Sequence, residues 1–265
     1  AGPASGVSTA RYIRAMDRLF RRVRKTRPAM ATVESVVARL AFGFANIEPE
    51  SSDAAYKALV RFALDVEGEL DNIGTAVPRR FKSRFGRLQR PLTLSCSSSV
   101  IRAIGTLPRP RVTVCESRPA FEGRRTAGLL RANAGSVTLV TESQIGAALD
   151  ECDSVVMGCD AIHPDGSIVN KMGSYLAALA ARDKHRPVIV VGDTYKLCQP
   201  VKASFESHPA AQVWRGAPSG ITVRNVAFET VPGRLIDHIV LEDGAFKSRG
   251  VRPVWKRVSK KRAAL

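Results

Sequence analysis

At 265 residues the chain is long enough to bury a full core, and a small helical part joined to a larger α/β part is a more natural division than one undivided domain. Hydrophobic residues make up 45% and charged residues 25%, which excludes a disordered chain or a fibre, and Arg, Lys, Asp or Gly interrupts every apolar run well short of the ~20 residues of a membrane span. The formal charge of +17 suits nucleic acid, an anionic membrane surface or a phosphorylated ligand, and does not choose among them.

In chain order, the opening AGPASGVSTA has no apolar core and reads as a flexible or trimmed start rather than a secretory signal. From about Arg11 to Phe85, apolar residues recur at spacings of three and four, as at Ile13, Met16, Leu19, Phe20 and Val23 and again at Val33, Val36, Val37, Leu40 and Phe44. That period predicts amphipathic helices. Pro28 interrupts the first pair, and EPESSD (Glu48 to Asp53) supplies a loop and a cap for a helix through Tyr56, Leu59, Val60 and Leu64. Three or four helices in a small bundle are expected over residues 1–88.

After Arg90 the period changes. PLTLS from Pro91, VTVC from Val112, VTLV from Val137, SVVM from Ser154 and VIVV from Val188 are apolar, largely β-branched runs too short for helices, and they predict buried strands. Helical patterning separates them at Val100 to Leu107, Phe121 to Ala132, Ser143 to Leu149 and Ser174 to Lys184. Residues 89–265 are therefore expected to form an α/β, Rossmann-like parallel sheet with helices on both faces, completed by strands at Val223 to Phe228 and His238 to Leu241. Basic residues crowd outside this pattern, in Arg11 to Arg27, Arg79 to Arg90 and the tail Arg252 to Arg262. They read as solvated helix faces and a frayed tail, or as an RNA or ribosome contact, although no RNP-like strand, zinc finger or KH loop accompanies them. Five cysteines with no CxxC pair fit a reduced, intracellular compartment, cytoplasm or organelle matrix, and neither a metal nor an organic cofactor is expected.

In such a sheet ligands lie beyond the carboxyl ends of the strands. There the chain turns polar: Ser95-Cys96-Ser97-Ser98-Ser99, Glu116-Ser117-Arg118-Pro119, Thr141-Glu142, Gly158-Cys159-Asp160 and Gly192-Asp193-Thr194-Tyr195-Lys196 follow the five runs. Ser97 and Ser98 open a helix whose free N–H groups can cradle phosphate, or they simply cap it. Arg118 is a fork for phosphate or a loop staple. Asp160 ends a buried run and suits a general acid or base, or an acceptor of backbone hydrogen bonds. Asn170 and Lys171, after the turn at Asp165-Gly166-Ser167 and near the start of a helix, can hold an anion opposite that carboxylate. His163 reads as a loop histidine, Trp214 and Trp255 as packing or interface residues, and Gly173 and Gly192 as backbone geometry.

The stretches ESRPAFEG from Glu116, VTLVTE from Val137, GCDAIHPDGSIVNKMG from Gly158 and DTYK from Asp193 together resemble, in order and spacing, one superfamily. It contains the alpha, beta and delta subunits of eukaryotic translation initiation factor 2B, methylthioribose-1-phosphate isomerase and ribose-1,5-bisphosphate isomerase, and the resemblance runs from about Pro91 to Leu241. It implies a helical N-terminal domain, a Rossmann-like C-terminal domain, and assembly through the latter as dimers or larger rings, with like or related subunits. In the isomerases a Cys after the first strand and an Asp stand on either side of the sugar C1–C2 unit, and Asp160 fills the Asp place. Aligning Thr93 and Ser97 with the isomerase pattern Thr-His-Cys-x-Ser sets Ser95 over the Cys and leaves Cys96 one residue late, so Ser95 and Cys96 are both candidate partners of Asp160. No Arg-Gly pair precedes Pro91, and Arg27-Pro28-Ala29-Met30 resembles the helix start of initiation-factor-like members. Ligand binding is therefore expected from Ser97, Ser98, Glu116, Arg118, Arg124, Asn170, Lys171 and Lys196. The leading expectation is an initiation-factor-2B-like protein that binds a sugar phosphate or nucleotide phosphate and acts through binding and assembly in translation. An aldose-to-ketose isomerase of a phosphorylated pentose is the alternative, and an RNA- or ribosome-associated structural protein a third.

Overall fold

A computed structural model describes residues 7–26, 30–200 and 207–263 of the chain. Its first part is three helices, α1 (Thr9–Arg24), α2 (Ala31–Ala45) and α3 (Ser52–Phe85), while the expected interruption at Pro28 lies outside the described residues. The apolar period closes them into a core in which Tyr12 and Phe20 meet Phe44 edge-on, with ring centroids 6.3 and 6.2 Å apart, over Val37 and Ala55. The Ser51 hydroxyl caps α3 by accepting from the Ala54 N–H at 3.1 Å. Pro78 lies inside α3 and cannot donate to the carbonyl of Gly74 one turn back. The Arg102 guanidinium of the next helix reaches that carbonyl instead, at 3.5 Å.

The chain then alternates: β1 (Pro91–Leu94), α4 (Ser98–Ile104), β2 (Arg111–Cys115), α5 (Glu122–Leu130), β3 (Ser136–Val140), α6 (Ile145–Glu151) and β4 (Ser154–Met157). A two-stranded hairpin follows, β5 (Ala161–Ile162) and β6 (Ile168–Lys171), then α7 (Ser174–Asp183), β7 (Val188–Val191), β8 (Phe228–Val231), β9 (His238–Leu241), β10 (Gly244–Lys247) and α8 (Val251–Ala263). Seven strands form one sheet in the order β10-β9-β7-β4-β1-β2-β3, parallel except for the edge pair β9–β10. The order reverses direction at β1/β4, which makes the carboxyl ends of these two strands the switch point. Alternation along the strands splits the interior. Val155, Met157, Val188, Val190, Ile239 and Leu241 face α6, α7 and α8, and Val156, Ile189, Val191 and Val240 face α3, α4 and α5.

Two expectations need correction, and one strand went unforeseen. The strand expected at Val223 to Phe228 begins only at Phe228, and it does not complete the main sheet: it pairs with β6 in a separate sheet of order β5-β6-β8, while Val226 makes one isolated bridge to Ser207. Asn170 and Lys171 stand near the start of α7 as expected, at the end of strand β6, and Gly173, at φ 103°, makes the turn between them. The expected frayed tail is helix α8, whose Val251 and Val254 are buried against the main sheet. Strand β10 was not expected at all, since GAFK carries too little apolar pattern to register.

The small sheet and the helical part meet over the switch point. Ala31 at the start of α2 packs on Ala161 and Val169, and its N–H donates to the Asp160 carbonyl at 3.0 Å. Ser35, one turn on, donates to the Tyr195 carbonyl at 2.6 Å.

Gly123 marks the tightest approach of a helix to the sheet, because a Cβ there would overlap the Cys115 carbonyl. Gly123→Ala should cost about 1–3 kcal/mol or more. Gly128→Ala, on the exposed face of the same helix where a Cβ meets nothing, should be neutral or gain up to about 1 kcal/mol. Urea denaturation of the two variants measures both.

Candidate active site

The turns after β1 and β2 are built on two residues in the left-handed region, Ser95 (φ 59°) and Ser117 (φ 63°). They lock each other: the Ser95 N–H donates to Ser117 Oγ at 2.7 Å, Ser117 Oγ donates to the Cys115 carbonyl at 3.2 Å, and Thr126 Oγ1 of α5 donates to the Ser95 carbonyl at 2.7 Å. The Glu142 carboxylate after β3 takes the Ser117 N–H at 2.6 Å and the Arg118 N–H at 3.4 Å. Ser97 then caps α4 by accepting from the Val100 N–H at 3.4 Å, and Ser98 is an exposed first-turn residue. The β1 turn presses directly on the β4 turn, for a Cβ at Gly158 would stand 2.8 Å from Ser97 Oγ. Cys96 precedes that contact by one residue and Asp160 follows it by two. Both are partly exposed, and all five cysteines are unbridged.

Along one side, the end of β2 gathers cations and carboxylates. Arg124 pairs with Glu116 at 3.0 Å and stacks over the Phe121 ring at 3.8 Å, while the exposed Arg118 lies over the same ring at 4.9 Å. Lys171 is buried and reaches Glu122 at 2.6 Å, leaving the other oxygen of that carboxylate, Oε2, buried without a hydrogen-bond partner. Asn170 instead binds Ser174 Oγ at 2.8 Å and steadies the entry to α7.

On the other side, the ends of β4 and β7 hold a buried charge cluster. Lys196 lies 3.8 Å from Asp193, whose Oδ1 is buried with no partner. Burial pulls the Lys196 pKa down, while the nearby Asp193 and Asp160 carboxylates favour the ammonium, and the balance lies above its ordinary value. Cys159 itself is pushed up to about 12 by burial, against the pull of Lys196, so it stays a thiol. Beyond this cluster a cavity of about 500 Å³ opens between α2, α3 and the loops after β7 and β9, lined among others by Arg39, Glu69, Asn72, Tyr195 and Glu242. Tyr195 donates to Glu69 at 2.7 Å there, and burial raises the Glu242 carboxyl.

The sequence profile of the initiation factor 2 subunit family matches residues 6–248. The chain belongs to that family. Among curated relatives, a ribose 1,5-bisphosphate isomerase of Archaeoglobus fulgidus is 31% identical over 211 residues, 74% of this chain and 66% of its own length. A methylthioribose-1-phosphate isomerase of Syntrophotalea carbinolica is 26% identical over 266 residues, covering 91% of this chain and 77% of the relative. Among solved structures, a translation initiation factor eIF-2B of Pyrococcus horikoshii OT3 superposes with a TM-score of 0.78 at 24% identity, covering 91% of this chain and 85% of the other. The chain spans about half to two thirds of the length of the first of the curated relatives it matches. Sugar-phosphate isomerases thus stand among its relatives, which favours the isomerase alternative over the initiation-factor reading that led from sequence.

For this member of the initiation factor 2 subunit family, the expected residues sort into neighbourhoods rather than one ring. Ser97 touches the β4 turn, Arg118 and Arg124 lie over Phe121 with Glu116 paired to Arg124, Lys171 crosses to α5, and Asp160 and Lys196 share the partly buried cluster. Missed from sequence were Glu122, which pairs with Lys171, and Glu229, which accepts the Gly173 and Tyr175 N–H groups at 2.6 and 2.9 Å and caps α7 from β8. Neither carries a local signal, because each partner comes from a different element.

His163 is a loop histidine, but a buried one, with Nδ1 2.9 Å from Ser167 Oγ and Nε2 unpartnered. Burial lowers its pKa below the ordinary 6.5, against Asp165, and His238 is lowered likewise by burial, Lys247 and Arg84. A histidine lowered on folding takes its proton more readily in the unfolded chain. Stability is therefore full above about pH 6.5 and falls as pH drops below it toward the folded values. Urea midpoints should decline from about pH 7.5 to about pH 5.5, and His163→Asn should flatten part of that decline.

Proposed function

We propose that the chain is an aldose-to-ketose isomerase of a phosphorylated pentose. The observation that carries the reading is Asp160 at the end of buried β4, electrostatically coupled to a buried, protonated Lys196 and set beside the turn that bears Ser95 and Cys96. When C1 of a furanose carries a phosphate, conversion to the ketose breaks the bond between C1 and the ring oxygen, moves hydrogen with its electron pair from C2 to C1, and releases the proton of the C2 hydroxyl. One group must give a proton to the departing ring oxygen and another must take the hydroxyl proton. Asp160 takes the hydroxyl proton, Lys196 stabilises negative charge building on that oxygen, and Cys96 or Ser95 protonates the ring oxygen. Phosphate is held by Arg118, Arg124 and the first turn of α4 at Ser97 and Ser98, with Lys171 and Asn170 behind them. The unpartnered oxygens of Glu122 and Asp193 are acceptors for sugar hydroxyls. Assembly with like or related subunits through the sheet-bearing part belongs to the same proposal.

A second reading, binding without turnover in the manner of an initiation-factor subunit, is favoured by one feature: the residue in register with the isomerase cysteine is Ser95, a far weaker acid than a thiol, and its backbone is fixed from both sides. Calorimetric titration of ribose-1,5-bisphosphate and methylthioribose-1-phosphate, with proton NMR of each mixture, separates the two. The isomerase predicts ketose formation that Asp160→Asn lowers by about 10²–10⁴-fold while binding stays within a few-fold. Binding with no ketose in the unmodified protein would establish the second reading. Lys171→Ala should weaken binding under either.

A further inference from the structure

The charge of the chain is concentrated. Residues 79–90 and 252–262 together carry twelve Lys and Arg and no Asp or Glu, residues 11–27 carry eight against Asp17 alone, and the remainder holds 21 basic and 23 acidic residues. The fold brings the first two segments together. The last turns of α3 pack on one face of the sheet at β9–β10 through Phe81 and Phe85, and α8 packs on the opposite face through Val251 and Val254. Both helices are pinned to the single turn between the strands: Arg80 donates to the Glu242 carbonyl at 3.1 Å, and Arg257 pairs with Asp243. β10 is the sheet's edge strand. Arg80 and Arg84 on α3, Lys247 and Arg249 at the end of β10, and Arg252 and Lys256 on α8 are all exposed, so two helical rows of cations flank one basic edge. Lys247 and Arg84 both lower the pKa of His238, after burial, so the α3 row and the edge strand bear on the same residue. The third segment stays apart, since α1 packs on Ala55 and Leu59, about 30 Å along α3 from Arg80.

We propose that this edge docks the phosphate backbone of double-stranded RNA. Lys247 alone would serve to keep a strand edge from pairing with other sheets, but that role does not account for the rows on both helices. An anionic membrane fits poorly, because among the described residues none of the large exposed apolar side chains lies on α3 beyond Pro78, on β10 or on α8. Single strands fit poorly too. Phe85 lies against His238 at 5.2 Å, and Phe246 and Trp255 pack against the core, so among the described residues of this edge none is an exposed aromatic for base stacking. What the edge offers is spaced cations for phosphates without base contacts. Between duplexes, it presents neither a free helix nor a ribbon to enter the B-form major groove, whereas A-form RNA is gripped from outside across its shallow minor groove and flanking phosphates.

The test is fluorescence anisotropy of a labelled RNA duplex of about 20 base pairs titrated with the full chain between about 50 and 250 mM salt, beside the same sequence as DNA and vesicles containing phosphatidylserine. Binding with a Kd of about 10⁻⁵ M near 100 mM salt is expected, with a steep negative salt slope. Arg84→Gln/Lys247→Gln/Lys256→Gln should weaken it at least about tenfold and reduce the slope by about 2–3, and Arg252→Gln/Lys260→Gln, on α8 alone, should give a smaller loss in the same direction. Arg11→Gln/Arg14→Gln/Arg18→Gln removes as many charges from α1 and should leave binding unchanged. Equal loss in the α1 variant would reduce the effect to overall charge and overturn the site. So would an absence of duplex binding, equal or tighter binding of DNA, or capture by vesicles but not RNA.

Discussion

The site rests on the interlock of Ser95 and Ser117 under the Glu142 carboxylate. Each serine holds a left-handed backbone that costs roughly 1–3 kcal/mol, and each is kept there by hydrogen bonds from a neighbouring strand end. The arrangement turns the chain sharply at the ends of β1 and β2, so that α4 and α5 start where their free N–H groups face the switch point. It also fixes both sides of the Ser95 peptide, by Ser117 Oγ and by Thr126, and so sets the direction in which Cys96 leaves the strand.

The helical part contributes a wall rather than a catalytic group. α2 abuts the strand ends through two hydrogen bonds to backbone carbonyls, Ala31 to Asp160 and Ser35 to Tyr195, and α3 adds Glu69 as the acceptor for the Tyr195 hydroxyl. These contacts lay the helical part against the loops after β4 and β7. Their consequence is electrostatic: desolvation works against the charge of Lys196, and the neighbouring Asp193 and Asp160 carboxylates favour it. A cation held beside a carboxylate in a site of reduced solvation serves proton transfer better than the same pair in water. It serves tight binding of an anionic or polyhydroxyl ligand equally well, which is why turnover and not affinity separates the two functional readings.

The ambiguity over the acid is one of register. Side chains on a strand alternate between faces, and a displacement of one residue normally sends the group to the wrong side. Here the displacement falls in a turn with a positive φ at Ser95, where the alternation no longer holds, so the late position of Cys96 does not by itself send its side chain to the far face.

The sequence by itself determined six of the seven strands of the main sheet, the helical character of the N-terminal part and the strand ends where the polar residues gather. Period and β-branched content are properties of neighbouring residues, and strands such as Ser154–Met157 and Val188–Val191 appear in the structure where their apolar runs lie. Only the tertiary structure decided which polar residues meet. Lys171 and Glu122 are 49 positions apart, Tyr195 and Glu69 are 126 apart, and nothing local to either partner announces the other. The same holds for β8, which leaves the main sheet because β6 offers it an open edge, and for the α8 tail, whose charged pattern masks two valines that bury only when β9 and β10 supply the surface. Periodicity is written in adjacent residues, whereas charge pairing and edge selection depend on chain segments that become neighbours only on folding.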